Sequence, residues 1–264
     1  LRYDAQCGSG CWSWAANGST GIELGNSRTC IKLEHPAEGR TGYVCNHEAL
    51  WAAVMGRLFN GTSDVITATG INPNGFSALT ISAWFKATST GGGYAAVAGF
   101  GTNYAIYQIG TQVAGLTQHG GTGNQVGAAG SVAAGSWYNL VLTDDRSLMT
   151  LYLNGTSVAT HTITGGPVGF DSIATWFIGT DPANEWFGGS IADVAYWNAA
   201  LSSSDIAKLA AGTRPTNVNL ANLKGWWPLD GYQSPEPDLS GNANNGTLTG
   251  TARILGPPQL WRLG

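Results

Sequence analysis

Apolar residues recurring at every second position constrain this chain most. Leu79, Ile81, Ala83 and Phe85 alternate with Thr80, Ser82 and Trp84. A period of two is the pleat of a β-strand, with one face turned to a core. Tyr138, Leu140 and Leu142 repeat the pattern, and so do Met149, Leu151 and Leu153. Asn154-Gly155 follows, then the short run from Thr156 to Thr160. Asn-Gly accepts positive φ at both central positions of a tight turn, so residues 148–162 read as a β-hairpin. Further strands are predicted at 94–100, 104–109, 112–118, 174–179, 189–197, 224–229 and 246–253. These many short strands, joined by polar turns rich in glycine (39 residues), describe an all-β chain built as two packed antiparallel sheets.

One helix interrupts the strands. Between Leu201 and Ala211, Ser202 or Ser203 supplies an N-cap, Asp205 sits in the first turn, and Ile206, Leu209 and Ala210 form one apolar stripe ending at Gly212. A second short helix is predicted from Asn46 to Met55, capped by Asn46 and closed by Gly56. Residues 1–56 otherwise lack periodicity. They hold all four cysteines, Cys7, Cys11, Cys30 and Cys45. Two disulfides in an oxidising compartment are the favoured reading, with three pairings open. The rival is a zinc site with His35 or His47, against which the C-x3-C and C-x14-C spacings argue, since they lack paired short knuckles. The chain therefore divides into a disulfide-pinned extension at 1–56 and a sandwich at 57–264. It starts at Leu1 and not at Met, as expected of a processed product or of part of a longer chain.

Charged residues are 11% of the chain, against roughly 25% in ordinary domains. The 12 basic residues are scattered and the net charge is −4, so no row of phosphates could be neutralised and nucleic acid is excluded as a partner. No apolar run is long enough to cross a membrane as a helix. Four N-G-S/T sequons, at Asn17, Asn60, Asn154 and Asn245, read as turns, or as glycan acceptors in a secreted eukaryotic chain.

Several motifs carry a family resemblance. Leu58-Phe-Asn-Gly-Thr-Ser-Asp64, the strand at 79–85, the pair Trp137-Tyr-Asn-Leu and Leu151-Tyr-Leu-Asn-Gly-Thr, and Phe187-Gly-Gly-Ser-Ile-Ala-Asp-Val-Ala-Tyr-Trp-Asn198 together resemble laminin-G-like jelly rolls of the concanavalin A-like class. The resemblance implies a jelly-roll sandwich. Trp226-Trp-Pro-Leu229 and the Asp238–Leu248 stretch usually open such a domain, yet here they close it. That order is similar to phage and bacterial jelly rolls, and it predicts that the two ends of the sandwich meet.

The resemblance leaves function open, because this fold hosts many. Glucanase relatives carry E-x-D-x-x-E on one strand, which is missing here. Glu185 and Glu236 are the only glutamates after residue 50, and Asp144-Asp145 reads as a solvated turn. No G-x-S-x-G or phosphate loop occurs. His119 and His161 read as loop or strand-surface residues. A structural calcium is the cofactor candidate, with Asp193, Asp238, Asn242 and Asn244 as ligands. The competing reading is an Asx-rich turn bonding its own backbone. A sugar site is predicted among Tyr94, Tyr104, Tyr107 and His119, against the alternative that the chain's surplus aromatics are covered by the extension or a partner subunit. The function expected is that of a non-enzymatic virion-surface or extracellular structural protein, such as a capsid or tail decoration or fibre component. It would form homo-oligomers, contact other structural subunits and touch host glycans. The alternatives are a secreted lectin and, less favoured, a glycoside hydrolase.

Overall fold

The computed structural model describes residues 55–71, 76–119, 121–128, 131–165, 175–230 and 234–255, together with short strands between residues 24 and 44. The chain divides into two units, Leu1–Ala53 with Leu260–Gly264, and Val54–Gln259. In the first unit, β1 (Leu24–Gly25) pairs with β2 (Arg28–Thr29), and β3 (Ile31–His35) with β4 (Arg40–Val44), both antiparallel. Sequence periodicity did not reveal them. The four cysteines lie outside the described residues, and so does the predicted helix up to its last residue. That residue, Met55, and the intended stop Gly56 belong to a strand instead.

The second unit is a sandwich of two antiparallel sheets. Its strands are β5 (Met55–Asn60), β6 (Val65–Thr69), β7 (Leu79–Ala87), β8 (Tyr94–Phe100), β9 (Tyr104–Ile109), β10 (Gln112–His119), β11 (Thr122–Ala128), β12 (Tyr138–Asp144), β13 (Leu148–Leu153), β14 (Thr156–Thr162), β15 (Thr175–Ile178), β16 (Gly188–Trp197), β17 (Leu223–Trp227), β18 (Thr247–Thr249) and β19 (Ala252–Leu255). One sheet runs β11-β10-β9-β8-β15-β6-β18. The other runs β14-β13-β12-β7-β16-β5-β19, with β17 also on β16.

The alternating residues do what their period requires. Leu79, Ile81, Ala83 and Phe85 are buried between the sheets with Leu140, Leu142, Met149 and Leu151. The 148–162 hairpin turns at Asn154 and Gly155, with φ of 50° and 81°. Trp176, Tyr196 and Trp227 stack at the centre of the core, with centroids 4.7 and 5.6 Å from Trp176. The only α-helix among the described residues, α1 (Ser203–Ala210), begins at Ser202, whose hydroxyl accepts the Asp205 N–H. It buries Ile206 and Leu209.

The two ends of the sandwich meet. β18 pairs with β6 and β19 with β5, one pair in each sheet. The single strand predicted at 246–253 is thus two strands in different sheets. Gly250 and Thr251, with φ of 66° and 59°, turn the corner between them. A buried ion pair fastens this seam. Arg57 Nε and Nη2 both lie 2.9 Å from Glu236 Oε2, and Leu229 N–H donates to Glu236 Oε1 at 2.8 Å.

Candidate functional site

The outward face of the seven-stranded sheet is mostly small. Ala96, Ala105 and Ala114 surround Tyr107, with Ile109 and Leu116 beside them. Register puts these residues together: Tyr107 lies opposite Ala96 on β8 and Ala114 on β10. The loop between β15 and β16 folds against this face, since Ala96 N–H donates to the Glu185 carbonyl at 2.8 Å. Gly179, with φ of 89°, launches that loop. A Cβ there would lie 2.2 Å from the Phe59 ring, so only glycine fits.

Within the loop, buried Asp181 acts as a hub. Its Oδ1 accepts the N–H groups of Ala183 and Glu185, and its Oδ2 accepts the Tyr107 hydroxyl at 3.2 Å. Burial, then the neighbouring Asp181 charge and a hydrogen bond to it, push the Glu185 carboxyl up to about 7. Burial, with both acids nearby, raises the Tyr107 phenol far above its ordinary range. The cause at Glu185 is that a neighbouring negative charge and partial burial both disfavour its ionised form. Among the described residues no basic side chain forms an ion pair with either acid.

Tyr94 stands next to this group. Its ring is edge-on to Tyr107 at 5.6 Å, and its hydroxyl accepts from Gln125 Nε2 at 2.6 Å. Held on two sides, it is still 42% exposed. The arrangement offers a fixed aromatic surface flanked by an amide and a partly exposed carboxyl. That set suits a ligand with both C–H faces and hydroxyls.

The four residues predicted as a sugar site do not form one exposed patch. Tyr94 and Tyr107 adjoin, but Tyr107 is 2% exposed and serves as support. Tyr104 and His119 turn to the interior, because their positions are in phase with Ile106 and Val113 on their strands. His119 Nε2 lies 2.7 Å from Asp144 Oδ2. His119 is thus buried rather than on the surface, and Asp144, at the end of β12, is buried rather than solvated. Asp145 caps the turn by accepting the N–H groups of Ser147 and Leu148, and Asp144 Oδ1 accepts that of Arg146. Asp181 and Glu185 were missed, since a loop has no period to betray them, and Gln125 because its strand, β11, was not among those predicted.

The predicted calcium ligands are occupied otherwise. Asp238 Oδ1 accepts the Trp226 and Ser240 N–H groups, and Oδ2 accepts that of Asn244. The Asn242 and Asn244 amides donate to the Leu223 and Lys224 carbonyls. Asp193 Oδ1 takes the Trp226 indole N–H at 3.2 Å. A carboxylate encircled by N–H donors is the Asx-turn arrangement, and it repels a cation's approach. The residues do not fit calcium.

The family model of the concanavalin A-like lectin/glucanases superfamily matches residues 60–207, more than half of the chain. The chain belongs to that superfamily. No curated protein matches it. A Bacteroides ovatus protein provisionally described as carbohydrate-binding superimposes with a TM-score of 0.62 at 16% identity, covering 79% of this chain and 62% of its own. The chain thus spans less than two thirds of that protein. A heptameric SAP-like pentraxin from Limulus polyphemus gives 0.55 at 13% identity, covering 80% and 97%. At these identities the likeness is one of fold. No helix of the described residues is long and apolar enough to cross a membrane.

Proposed function

We propose that this superfamily member is a non-catalytic glycan-binding module whose site is the Tyr94–Gln125–Glu185 patch. One observation carries the reading. Tyr94 is clamped by Tyr107 and Gln125 and still shows 42% of its surface. A ring ordered before binding loses little entropy when a sugar stacks on it. The fold likeness to the Bacteroides ovatus protein supports the same reading.

The acid pair argues for binding over hydrolysis. A glycosidase holds its two carboxyls free around the scissile bond, whereas Asp181 is buried and its oxygens are taken by the Ala183 and Glu185 N–H groups and the Tyr107 hydroxyl. The low charge content, 11%, extends the proposal to a module displayed on a virion or outside the cell, next to other subunits or copies of itself. Recovering the chain as a stoichiometric part of native particles tests that extension.

The binding proposal is tested on a glycan array. The wild-type chain should bind, and Tyr94→Ala should lose about tenfold or more in affinity at an unchanged melting midpoint, as expected for an exposed aromatic contact. Undiminished binding by Tyr94→Ala, or release of reducing sugar, would overturn it.

A further inference from the structure

The opposite face of the sandwich contains a polar cleft. Ser82, Trp84, Asn139 and Asp193 line it from the eight-stranded sheet, while Leu209 and Pro215 close it from the end of α1 and the segment beyond. Its space totals about 210 Å³ including the open mouth, with room inside for about one water-sized group. Trp84 and Asn139 are cross-strand neighbours on β7 and β12. Asp193 reaches the cleft through a bulge in β16, with φ of 46°.

Asn139 is the unusual member. It is 0% exposed, and neither Nδ2 nor Oδ1 has a hydrogen-bond partner among the described residues. A buried amide left unpaired costs the fold stability, because its water has been removed and nothing replaces it. Its backbone needs no such sacrifice, since Asn139 N–H donates to Asn154 Oδ1 and its carbonyl accepts the Asn154 N–H.

We propose that this cleft is a second ligand site, which takes a pair of adjacent hydroxyls from a neutral polyol or sugar. The amide presents one donor and one acceptor side by side, and adjacent hydroxyls return an acceptor and a donor in the same spacing. The Trp84 ring supplies a wall for the ligand's C–H surface. The Asp193 carboxylate disfavours anions. Because folding has already dehydrated the amide, its hydrogen bonds to an incoming ligand are not offset by loss of water. The ligand enters where the end of α1 meets the sheet.

The test uses the full chain labelled with nitrogen-15. Glycerol, the smallest vicinal diol, and then methyl α-mannopyranoside are titrated while the Asn139 side-chain NH₂ and Trp84 indole N–H are followed. Both signals should shift saturably, and Tyr94→Ala should leave these shifts intact. Asn139→Leu should weaken binding by about tenfold or more. It should also raise the melting midpoint by about 2–4 °C, since it deletes an unpaired amide. Trp84→Phe, which keeps a ring in place, should bind more weakly at an unchanged fold. A lowered midpoint in Asn139→Leu would mean that the amide is already satisfied and overturn the proposal. So would an Asn139 amide that contacts only a long-lived water, or shifts that stay linear with either probe.

Discussion

The two glutamates beyond residue 50 meet opposite fates. Glu236 is fully buried, yet each of its oxygens has a donor: Arg57 on one, the Leu229 N–H on the other. Glu185 lies in a loop beside another acid, and no cation faces it among the described residues. Burial raises the Glu236 carboxyl and Arg57 pulls it back; at Glu185 every influence pushes upward. The difference separates a carboxylate that joins two parts of the fold from one left available at a surface. Compensation, rather than burial, is what separates these two charges.

The largest effect should come from breaking the compensated pair. Arg57→Ala leaves the Glu236 charge buried without its partner and should destabilise the sandwich by about 3–5 kcal/mol. Urea denaturation reads this directly. Replacing both partners by apolar residues, Arg57→Met with Glu236→Leu, should recover most of the loss. A single variant as stable as wild type would show that the seam does not depend on the pair. The seam is where the ends of the sandwich close, through β18 on β6 and β19 on β5, so its loss should fray both sheets.

Alternation made the frame legible. The strands containing Leu79, Leu140 and Met149 were read with their buried faces correct, and the Asn154-Gly155 turn with its φ signs. The order of the motifs foretold that the ends would meet. The same parity, applied further, would have turned Tyr104 and His119 inward, because each is in phase with an apolar neighbour on its own strand. Taking aromatic and polar composition as a sign of exposure overrode that signal. Asp181 and Glu185 left no local trace. Their meeting with Tyr107 depends on β9 lying two strands away from β15, with β8 between, and on a loop folding over the sheet. No window of sequence contains both. The Asx-rich turn at Asp238 was ambiguous for a physical reason, because calcium and backbone N–H groups both seek carboxylate and amide oxygens.

The uncompensated site should respond next most strongly, at its hub. Asp181→Ala removes the acceptor for the Tyr107 hydroxyl and for two loop N–H groups. The cost should be about 1–3 kcal/mol, since Tyr107 is left with an unmet buried donor. Tyr94 should then lose its ordered edge contact, and glycan affinity should fall with stability. Asp181→Asn keeps an acceptor for the loop and should restore most of the stability. If both variants were equally damaging, charge rather than hydrogen bonding would be what the loop requires.

The smallest effect is the most discriminating, because only the uncompensated glutamate should produce it. Glu185 has an ordinary value of 4.5 and is raised to about 7 in the folded chain. A carboxyl raised on folding binds its proton more tightly in the native state. Its contribution to stability is therefore complete below 4.5 and is lost as pH climbs through about 7. Wild-type stability should decline across that window. An unscreened shift of this size corresponds to about 3 kcal/mol, but Glu185 is only partly buried, and solvent screening reduces the expectation to about 1 kcal/mol or less. Glu185→Gln carries no titrating group and should flatten the decline. Urea midpoints measured from about pH 4 to about pH 8 would resolve it. An equal slope in Glu185→Gln would transfer the titration to another group and remove the basis for contrasting the two glutamates.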